Sequence, residues 1–288
     1  MRFHFAPALL SLCTVFLTGC IDVDFSPSDR YQADFHYSYD LDPGGRINLE
    51  NANGSVEISG WDENKVEITG VKFASTKEGL EEIRVDVHHS PGSVDIRTTR
   101  PSSHFGSMGA RYAIKVPKTA VLDRVVTSNA RIRIQDLDTS ASLKTSNGPI
   151  RVENLRGAVD AQTSNGSVEL HSIGGDARIR TSNGPVRAEG IAGEFTAHTS
   201  NGGITISMDR APKNGIRAET TNGGITVHLP GGSAARLEAD TSNGSVRTDF
   251  DLSGSVRESR NHLNGRIGEG GPLIELTTRN GSIGVLRM

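Results

Sequence analysis

Apolar and polar residues alternate along most of this chain in short runs with a period of two. Around residue 165, for example, Val159, Ala161 and Thr163 precede the asparagine, and Val168 and Leu170 follow it, with polar residues between them. A period of two places successive side chains on opposite faces of a β-strand. Each such segment therefore predicts two short strands, each with one apolar face and one face in contact with water.

The same segment recurs at a nearly fixed interval. The phrase Thr-Ser-Asn-Gly, or a near copy of it, repeats through residues 127–244 and returns at 278–281. Its asparagines are 18 residues apart as far as position 201, then 21 apart for two steps, and the last copy stands alone: Asn129, Asn147, Asn165, Asn183, Asn201, Asn222, Asn243 and Asn280. A period of this length is typical of stacked repeats, because one unit cannot bury its own apolar face.

Stacking predicts a role for the recurring asparagine. Copies stacked about 4.8 Å apart share a continuous core. An asparagine at the corner between two strands can then donate a hydrogen bond to the copy on one side and accept one from the copy on the other. The glycine that follows supplies either a positive φ or the room that the corner requires.

We therefore expect an all-β chain folded as a parallel β-helix, or β-solenoid, with rungs of 18–21 residues. The alternative is an antiparallel meander in which each Asn-Gly forms a type I′ hairpin turn. Threonine and asparagine repeat together as a block. Such a block would stabilise a stack of like units, whereas a hairpin turn does not require it, so the pattern favours the solenoid.

The chain begins with the features of a bacterial lipoprotein signal. Arg2 precedes an apolar run over 6–17, and Leu17-Thr18-Gly19-Cys20 resembles a lipobox, whose cysteine is acylated and becomes the first mature residue. The apolar run is too short to span a bilayer. We expect a signal peptide over 1–19 and lipidation of Cys20, with an ordinary cleaved signal as the alternative. Ile21 follows in place of the aspartate that favours inner-membrane retention, so a Gram-negative source would predict the outer membrane.

Strand-forming runs begin near residue 46 and continue to the end of the chain. A solenoid with uncovered end strands would polymerise, so both ends are expected to carry caps. We expect the following divisions: a tether and N-terminal cap over 20–45, and a solenoid over 46–288 with an irregular part (46–120), regular repeats (121–250) and a C-terminal cap (251–288).

Composition and charge narrow the classes of partner. The 33 glycines and 5% aromatic content are typical of a turn-rich β structure. Loss of Arg2 with the signal would leave 30 of the 31 Lys and Arg residues against 34 Asp and Glu, interspersed along the chain. This balance argues against nucleic-acid binding and against a polybasic membrane patch. Cys13 would leave with the signal and Cys20 would carry lipid, so no thiol would remain for a disulfide or a metal.

Candidate metal-binding residues are few. His88 and His89 are neighbours on an expected strand and point to opposite faces. Gly174-Gly175-Asp176 is a single copy of a calcium-binding repeat pattern that would need several copies. The remaining histidines of interest occupy outward positions of the repeats, where we expect them to face solvent: His171, His198 and His228. We expect no metal and no cofactor.

An enzyme that acts on polysaccharides would need acidic groups clustered on one outer sheet. The outward rows are mixed instead, with Glu153, His171, Glu189, Ser207, His228 and Asp249 on one, and Lys144, Gln162, Arg180, His198, Glu219 and Asp240 on the other. The nearest approach to an acidic cluster is Glu219 beside Asp240, with Glu238. We expect no catalytic activity, and a polysaccharide lyase or glycoside hydrolase is the alternative.

Three features resemble a bacterial family of domains of unknown function regarded as candidate adhesins. They are Asn53-Gly54-Ser55-Val56-Glu57-Ile58-Ser59-Gly60-Trp61, the Thr-Ser-Asn-Gly ladder, and the ending from Gly270 to Ile283. The resemblance covers the chain from about residue 46 and implies a right-handed parallel β-helix. The resemblance brings no catalytic or binding residues with it. We expect a lipid-anchored protein that acts by binding or scaffolding at the cell envelope or surface, with a glycan, an envelope protein or another copy as partner, and a structural or envelope-stress role is the alternative.

Overall fold

The structure is a computed structural model that describes residues 30–100 and 107–288. The expected signal peptide, the lipidated Cys20 and nearly all of the expected tether lie outside the described residues.

The elements of the N-terminal part include one short helix: β1 (Tyr31–Asp40), β2 (Arg46–Glu50), β3 (Val56–Trp61), β4 (Lys65–Ala74), α1 (Lys77–Glu82), β5 (Arg84–Ser90), β6 (Ser93–Thr99) and β7 (Met108–Pro117). The regular repeats contribute short strands in pairs: β8 (Val121–Val126), β9 (Ile132–Leu137), β10 (Ala141–Lys144), β11 (Ile150–Leu155), β12 (Val159–Gln162), β13 (Val168–Ile173), β14 (Ala177–Asn183), β15 (Val186–Ile191), β16 (Phe195–Asn201), β17 (Ile204–Ser207), β18 (Ile216–Asn222), β19 (Ile225–Leu229), β20 (Ala235–Asn243) and β21 (Val246–Thr248). The C-terminal part adds β22 (Leu252–Ser259), β23 (His262–Ile267), β24 (Leu273–Asn280) and β25 (Ile283–Arg287).

The strands form two sheets whose apolar faces enclose one core. Sheet A has 12 strands in the order β1-β4-β7-β3-β9-β11-β13-β15-β17-β19-β25-β21. Sheet B has 13 strands in the order β22-β23-β20-β24-β18-β16-β14-β12-β10-β8-β2-β6-β5. Each repeat gives one strand to each sheet, so the repeats are the rungs of a two-sheet solenoid.

Equivalent residues of successive rungs lie in register. Ile150, Val168, Val186, Ile204 and Ile225 are direct neighbours along sheet A, and every pair of these strands is parallel. Their side chains are almost fully buried, and each such side chain contributes about 1.5–3 kcal/mol of burial free energy. The parallel pairing confirms the β-solenoid and excludes the antiparallel meander for these repeats.

The corner at the end of four sheet A strands, β9, β11, β13 and β15, uses left-handed backbone. Asp136, Asn154 and Ser172 have φ of 58°, 55° and 57°, and Gly190 has φ of 66°. Asn and Asp adopt this conformation more readily than other non-glycine residues. The Asn154 side chain also donates to the Asp136 carboxylate over 2.9 Å. This corner therefore repeats with the same 18-residue period as the asparagines, although the sequence interpretation did not single it out.

The C-terminal part differs from the expected cap over 251–288. Only the antiparallel hairpin of β22 and β23 covers an edge, where β23 pairs with β20. The following strands form a rung that is inserted within the stack, with β24 between β18 and β20, and β25 between β19 and β21. The physical reason is that Ile274, Leu276, Ile283 and Val285 are fully buried, so this last copy buries as much apolar surface as an internal rung.

The N-terminal end closes the stack with antiparallel strands. β2 and β3 form the rung next to β8 and β9, and β6 and β7 form a further parallel rung outside it. Beyond these, β4 pairs antiparallel with β7, β1 with β4, and β5 with β6. The stretch expected as tether and cap over 20–45 thus contributes the edge strand β1 to sheet A.

Candidate functional site

The recurring asparagines form one column along the solenoid, at the corner after each sheet B strand. Each side-chain Nδ2 donates to the Oδ1 of the asparagine on the preceding rung, over 2.7–2.9 Å. The order of the column is Asn53, Asn129, Asn147, Asn165, Asn183, Asn201, Asn222, Asn280 and Asn243. All eight bonds are donated in the same direction, toward the N-terminal end of the stack. Asn53, the first member of the column, donates in turn to the Met108 carbonyl over 2.8 Å.

The column departs from the sequence interpretation in its order. Asn280 lies between Asn222 and Asn243, whereas the sequence suggested that Asn243 follows Asn222 directly. The column from Asn129 onward is also exposed to solvent, so water can compete for each amide. The asparagines therefore contribute mainly to the register of the rungs, and less to stability than buried amides would.

A second set of hydrogen bonds runs beside the column, inside the core. A buried threonine stands two residues before each asparagine from Asn129 onward, and from Thr163 onward its hydroxyl donates to a glycine carbonyl of the preceding rung. Thr145 donates to the Ala130 carbonyl over 3.2 Å, and the buried Thr127 hydroxyl has no partner among the described residues. Thr163 donates to Gly148 over 3.1 Å and Thr181 to Gly166 over 3.2 Å. These bonds satisfy a hydroxyl that would otherwise be buried without a partner. The signal for them was the joint repetition of threonine and asparagine.

The glycine that follows every asparagine of the column except Asn129 is required by the closeness of the rungs. A Cβ on Gly166 would lie 2.0 Å from the carbonyl oxygen of Gly148, and a Cβ on Gly184 would lie 2.0 Å from that of Gly166. Neither glycine has a positive φ. Of the two reasons considered from sequence, the structure shows that these glycines provide room.

The outer face of sheet A is occupied by its own ion pairs. The Glu153 carboxylate accepts from Gln135 over 2.8 Å, lies 3.4 Å from Arg133, and is also bound by Arg151. The hydrogen bond from Gln135, followed by that from Arg151, lowers the pKa of Glu153 to about 2. Further along, Glu189 lies 3.1 Å from His171. The Glu153 carboxylate is therefore already neutralised by arginines of the same face.

The outward row of sheet B corrects one sequence inference. Thr277 of the inserted rung pairs with Glu219 on one side and with Asp240 on the other, so these two acids are not adjacent. Asp240 lies 2.6 Å from His262. The acidic cluster considered from the sequence does not form, because β24 separates its members.

A groove of about 370 Å³ runs along sheet B where its strands begin, across β8, β10, β12, β14 and β16. We call it the sheet B groove. Its polar lining comes from five successive rungs: Asp123, Ser140, Ser142, Asp160, Asp176, Arg178, Glu194 and Thr196. It combines carboxylates, hydroxyls and a guanidinium, and it is the candidate functional site.

Some groups in the sheet B groove are already engaged. The Asp176 carboxylate accepts from the Glu194 backbone N–H over 2.8 Å, and Asp160 lies 3.6 Å from Arg180. By contrast, the side chains of Ser142, Arg178 and Thr196 make no hydrogen bond or ion pair with any other described residue. Their donors and acceptors are therefore free to meet a ligand.

The histidines do not converge. His198 lies 3.5 Å from Glu219 on the outer face of sheet B. His89 stacks on Tyr39 with ring centroids 4.9 Å apart, and His88 lines a different groove on the outer face of sheet B. Within 30–100 and 107–288, no group of three or more His, Cys, Asp or Glu residues is placed to hold a metal ion. In the same ranges, no helix combines the length and apolar character that crossing a bilayer requires.

Comparison with known protein families shows to which family the chain belongs. The family model for Toastrack DUF4097 matches residues 22–286. The chain belongs to the Toastrack family. This membership confirms the family of unknown function that the sequence resembled, and it agrees with the β-solenoid.

Solved structures with similarity to this Toastrack chain share little sequence with it. One is a candidate adhesin from Bacteroides fragilis NCTC 9343, with 12% identity, covering 89% of this chain and 97% of that one, at a TM-score of 0.46. Another is a candidate cell adhesion protein from Clostridium sporogenes ATCC 15579, with 14% identity, coverage of 89% and 100%, and a TM-score of 0.29. A third is a candidate lipid binding protein from Parabacteroides distasonis ATCC 8503, with 12% identity, coverage of 88% and 96%, and a TM-score of 0.32. No curated protein gives a significant match.

Proposed function

We propose that this protein is a lipid-anchored binding or scaffold protein of the bacterial envelope or cell surface, without catalytic activity. The observation that carries the proposal is the sheet B groove, which presents polar side chains of five consecutive rungs of a rigid stack, with those of Ser142, Arg178 and Thr196 unpaired. Binding sites on regular elements hold their groups more precisely than sites on loops. The groove is therefore suited to recognition of an extended, repetitive ligand.

A glycan is the ligand class that the groove fits best. Neighbouring rungs are about 4.8 Å apart, so every second rung repeats at roughly 10 Å, which is close to the length of a disaccharide unit. Carboxylates, hydroxyls and the Arg178 guanidinium can each bond to sugar hydroxyls. The four carboxylates of Asp123, Asp160, Asp176 and Glu194 would repel a nucleic-acid backbone.

Two arginines allow a matched test of this surface. Arg178 lines the sheet B groove, whereas Arg187 is an exposed outward residue of sheet A that makes no ion pair with another described residue. We expect Arg178→Gln to weaken binding to purified cell-wall and surface glycans by about tenfold, the effect of one charge-assisted hydrogen bond. Arg187→Gln is expected to bind like the wild type. Equal affinity of both variants and the wild type, or no binding to any envelope glycan, would remove the proposal.

The lipid anchor is tested separately. Acylation of Cys20 predicts that cells fed radioactive palmitate label the protein, and that Cys20→Ser abolishes the label. Two or more acyl chains give a stable anchor, so the wild type should fractionate with membranes and the variant should not. Labelling that survives Cys20→Ser would contradict lipidation at this residue.

A polysaccharide-acting enzyme is the second candidate, because carboxylates do line the sheet B groove. Glycoside hydrolysis needs a carboxylic acid kept protonated by an apolar site. Asp123, Asp176 and Glu194 are exposed instead, which favours binding over turnover. Release of reducing ends or unsaturated sugars from a bound glycan, lost in Asp176→Asn, would establish the enzyme.

A further inference from the structure

We propose that Asn243 is a site of spontaneous covalent modification, in which its side-chain amide is converted to aspartate and isoaspartate. The chain contains many Asn-Gly pairs, and in this pair the backbone nitrogen of the glycine reaches the side-chain amide carbon with little obstruction, since glycine has no side chain. The pairs begin at Asn53, Asn147, Asn165, Asn183, Asn201, Asn214, Asn222, Asn243, Asn264 and Asn280. Their sequences are alike, so the structure must decide which of them react.

The internal rungs of the column hold the attacking nitrogen in a hydrogen bond. Each glycine N–H donates to the backbone carbonyl of the asparagine on the next rung: Gly148 to Asn165 over 3.1 Å, Gly166 to Asn183 over 3.0 Å, Gly184 to Asn201 over 3.0 Å, Gly202 to Asn222 over 2.9 Å, Gly223 to Asn280 over 2.9 Å and Gly281 to Asn243 over 3.2 Å. A nitrogen held in this way must break its bond before it can lose its proton and attack. The asparagine side chains of these rungs are also bonded on both sides.

Asn243 is the last member of the column and lacks this protection. No further rung follows it, and the Gly244 N–H has no acceptor among the described residues. The Asn243 Oδ1 likewise accepts no hydrogen bond from any of them, although Nδ2 still donates to Asn280 over 2.9 Å. The residue is exposed to solvent. The electrophilic carbon and the nucleophilic nitrogen are therefore both free.

The reaction needs only water. The Gly244 nitrogen, after losing its proton, bonds to the Asn243 side-chain carbon Cγ, and the bond from Cγ to Nδ2 breaks with release of ammonia. Water then opens the resulting five-membered imide at either of its two carbonyl carbons. One opening gives aspartate and the other gives isoaspartate, in which the backbone runs through the former side chain. No oxidant or reductant takes part.

Two further pairs lie outside the internal rungs of the column, and we expect them to differ from each other. At Asn53, the first member of the column, the N–H of Gly54 also lacks an acceptor among the described residues. The Asn53 side chain, however, donates to the Met108 carbonyl and accepts from Asn129. Asn214 lies in a loop outside the column and is exposed. Its Nδ2 donates to the Ala192 carbonyl over 2.9 Å, but its Oδ1 accepts no hydrogen bond from a described residue, and the N–H of the glycine that follows has no acceptor in the described chain. Asn214 should therefore also react, and it serves as an internal positive control.

Conversion changes the end of the column. A carboxylate at position 243 cannot donate to the Asn280 Oδ1, so the last bond of the column is lost and the terminal rung is tied less firmly to the stack. Isoaspartate adds a backbone atom at the corner, where Gly244 approaches the Gly281 carbonyl closely. The modification thus loosens the C-terminal end of the solenoid while leaving the internal rungs unchanged.

Two stretches of identical sequence provide the test. Residues 163–168 and 241–246 both read Thr-Ser-Asn-Gly-Ser-Val, so local sequence cannot distinguish Asn165 from Asn243. The full chain is incubated in mildly alkaline buffer, folded or unfolded in urea, and digested with trypsin, which yields the peptides 157–178 and 237–247. Aspartate and isoaspartate in each peptide are quantified by mass spectrometry, and each folded rate is divided by the unfolded rate of the same peptide.

The ratio for Asn243 is expected to exceed the ratio for Asn165 by about tenfold, the factor that one hydrogen bond to the attacking nitrogen supplies. Asn243→Gln should remove the modification from its peptide and leave that of Asn214 unchanged. Equal ratios for Asn165 and Asn243, or a larger ratio for Asn165, would overturn the proposal.

Discussion

Gly202 and Gly203 are adjacent glycines in one corner of the solenoid with opposite surroundings. A Cβ on Gly202 would lie 2.1 Å from the carbonyl oxygen of Gly184, on the neighbouring rung. The nearest atom to a Cβ on Gly203 would be the Gly224 carbonyl oxygen, at 3.4 Å, an ordinary contact. Because the atom that clashes with Gly202→Ala belongs to the backbone, no rotation of a side chain can relieve the overlap.

Gly202→Ala should therefore force neighbouring rungs apart at this corner. That movement also stretches the bond from the Gly184 N–H to the Asn201 carbonyl, 3.0 Å long, and the bond from the Thr199 hydroxyl to the Gly184 carbonyl, 3.2 Å long. We expect a loss of about 3 kcal/mol in the free energy of unfolding, the upper part of the range for overpacking. Gly203→Ala should change it by no more than about 0.5 kcal/mol.

Urea-induced unfolding of the two variants and the wild type, followed by circular dichroism, measures the difference. The two alanines are one residue apart and differ in the unfolded chain by almost nothing, so their contrast reports on the folded stack. If Gly203→Ala lost as much stability as Gly202→Ala, or if Gly202→Ala were neutral, the rungs could not be as close and as well aligned as described.

Three further outcomes follow from the hydrogen bonds of the rungs. Thr181→Val keeps the shape of a buried side chain but removes its bond to the Gly166 carbonyl, so thermal unfolding should reveal a loss of about 1 kcal/mol; the same change at Thr196, which has no such bond, should have little effect. Asn165→Ala breaks two exposed bonds in the column and should cost about 1 kcal/mol, and an unchanged melting curve would show that the column adds no stability. The pKa of Glu153 is about 2, below its usual 4.5, so its ionised form contributes stability above pH about 4.5 that is lost as the pH falls toward 2. Denaturation at a series of pH values should therefore show a shallower decline for Glu153→Gln than for the wild type in that window.

The strands and their inward faces could be predicted because they follow from local periodicity. Val168 and Leu170 alternate with polar residues, and burial of one face of a strand is decided by that alternation alone. Register along the regular repeats followed from the constant spacing of the asparagines. The need for glycine after nearly every asparagine of the column could be anticipated only in part, since its cause is a contact between rungs.

The order of the last rungs could not be predicted, because nothing within the copy at Asn280 specifies its neighbours. The hairpin of β22 and β23 carries the chain outward, and the chain then returns to pair on both sides with strands that precede the hairpin. The same insertion separates Glu219 from Asp240. The sheet B groove could not be predicted for a related reason. The alternation of side chains along a strand places Asp160 and Arg178 on the outer face, but whether the Arg178 guanidinium forms an ion pair depends on the positions of the neighbouring side chains.

The insertion of the rung formed by β24 and β25 can be measured directly with pairs of cysteines on the outer face of sheet B. The chain used would also carry Cys13→Ser and Cys20→Ser. Residues in direct register on adjacent rungs have Cα atoms about 4.8 Å apart, within the range for a disulfide, whereas residues two rungs apart are separated by about 9.6 Å. Glu219 and Thr277 are in direct register, and Asp240 lies on the far side of Thr277. Mild oxidation should therefore cross-link Glu219→Cys with Thr277→Cys and leave Glu219→Cys with Asp240→Cys reduced. Efficient cross-linking of the Glu219 and Asp240 pair, with none for the Glu219 and Thr277 pair, would show that the rungs stack in sequence order and would contradict this account of the solenoid.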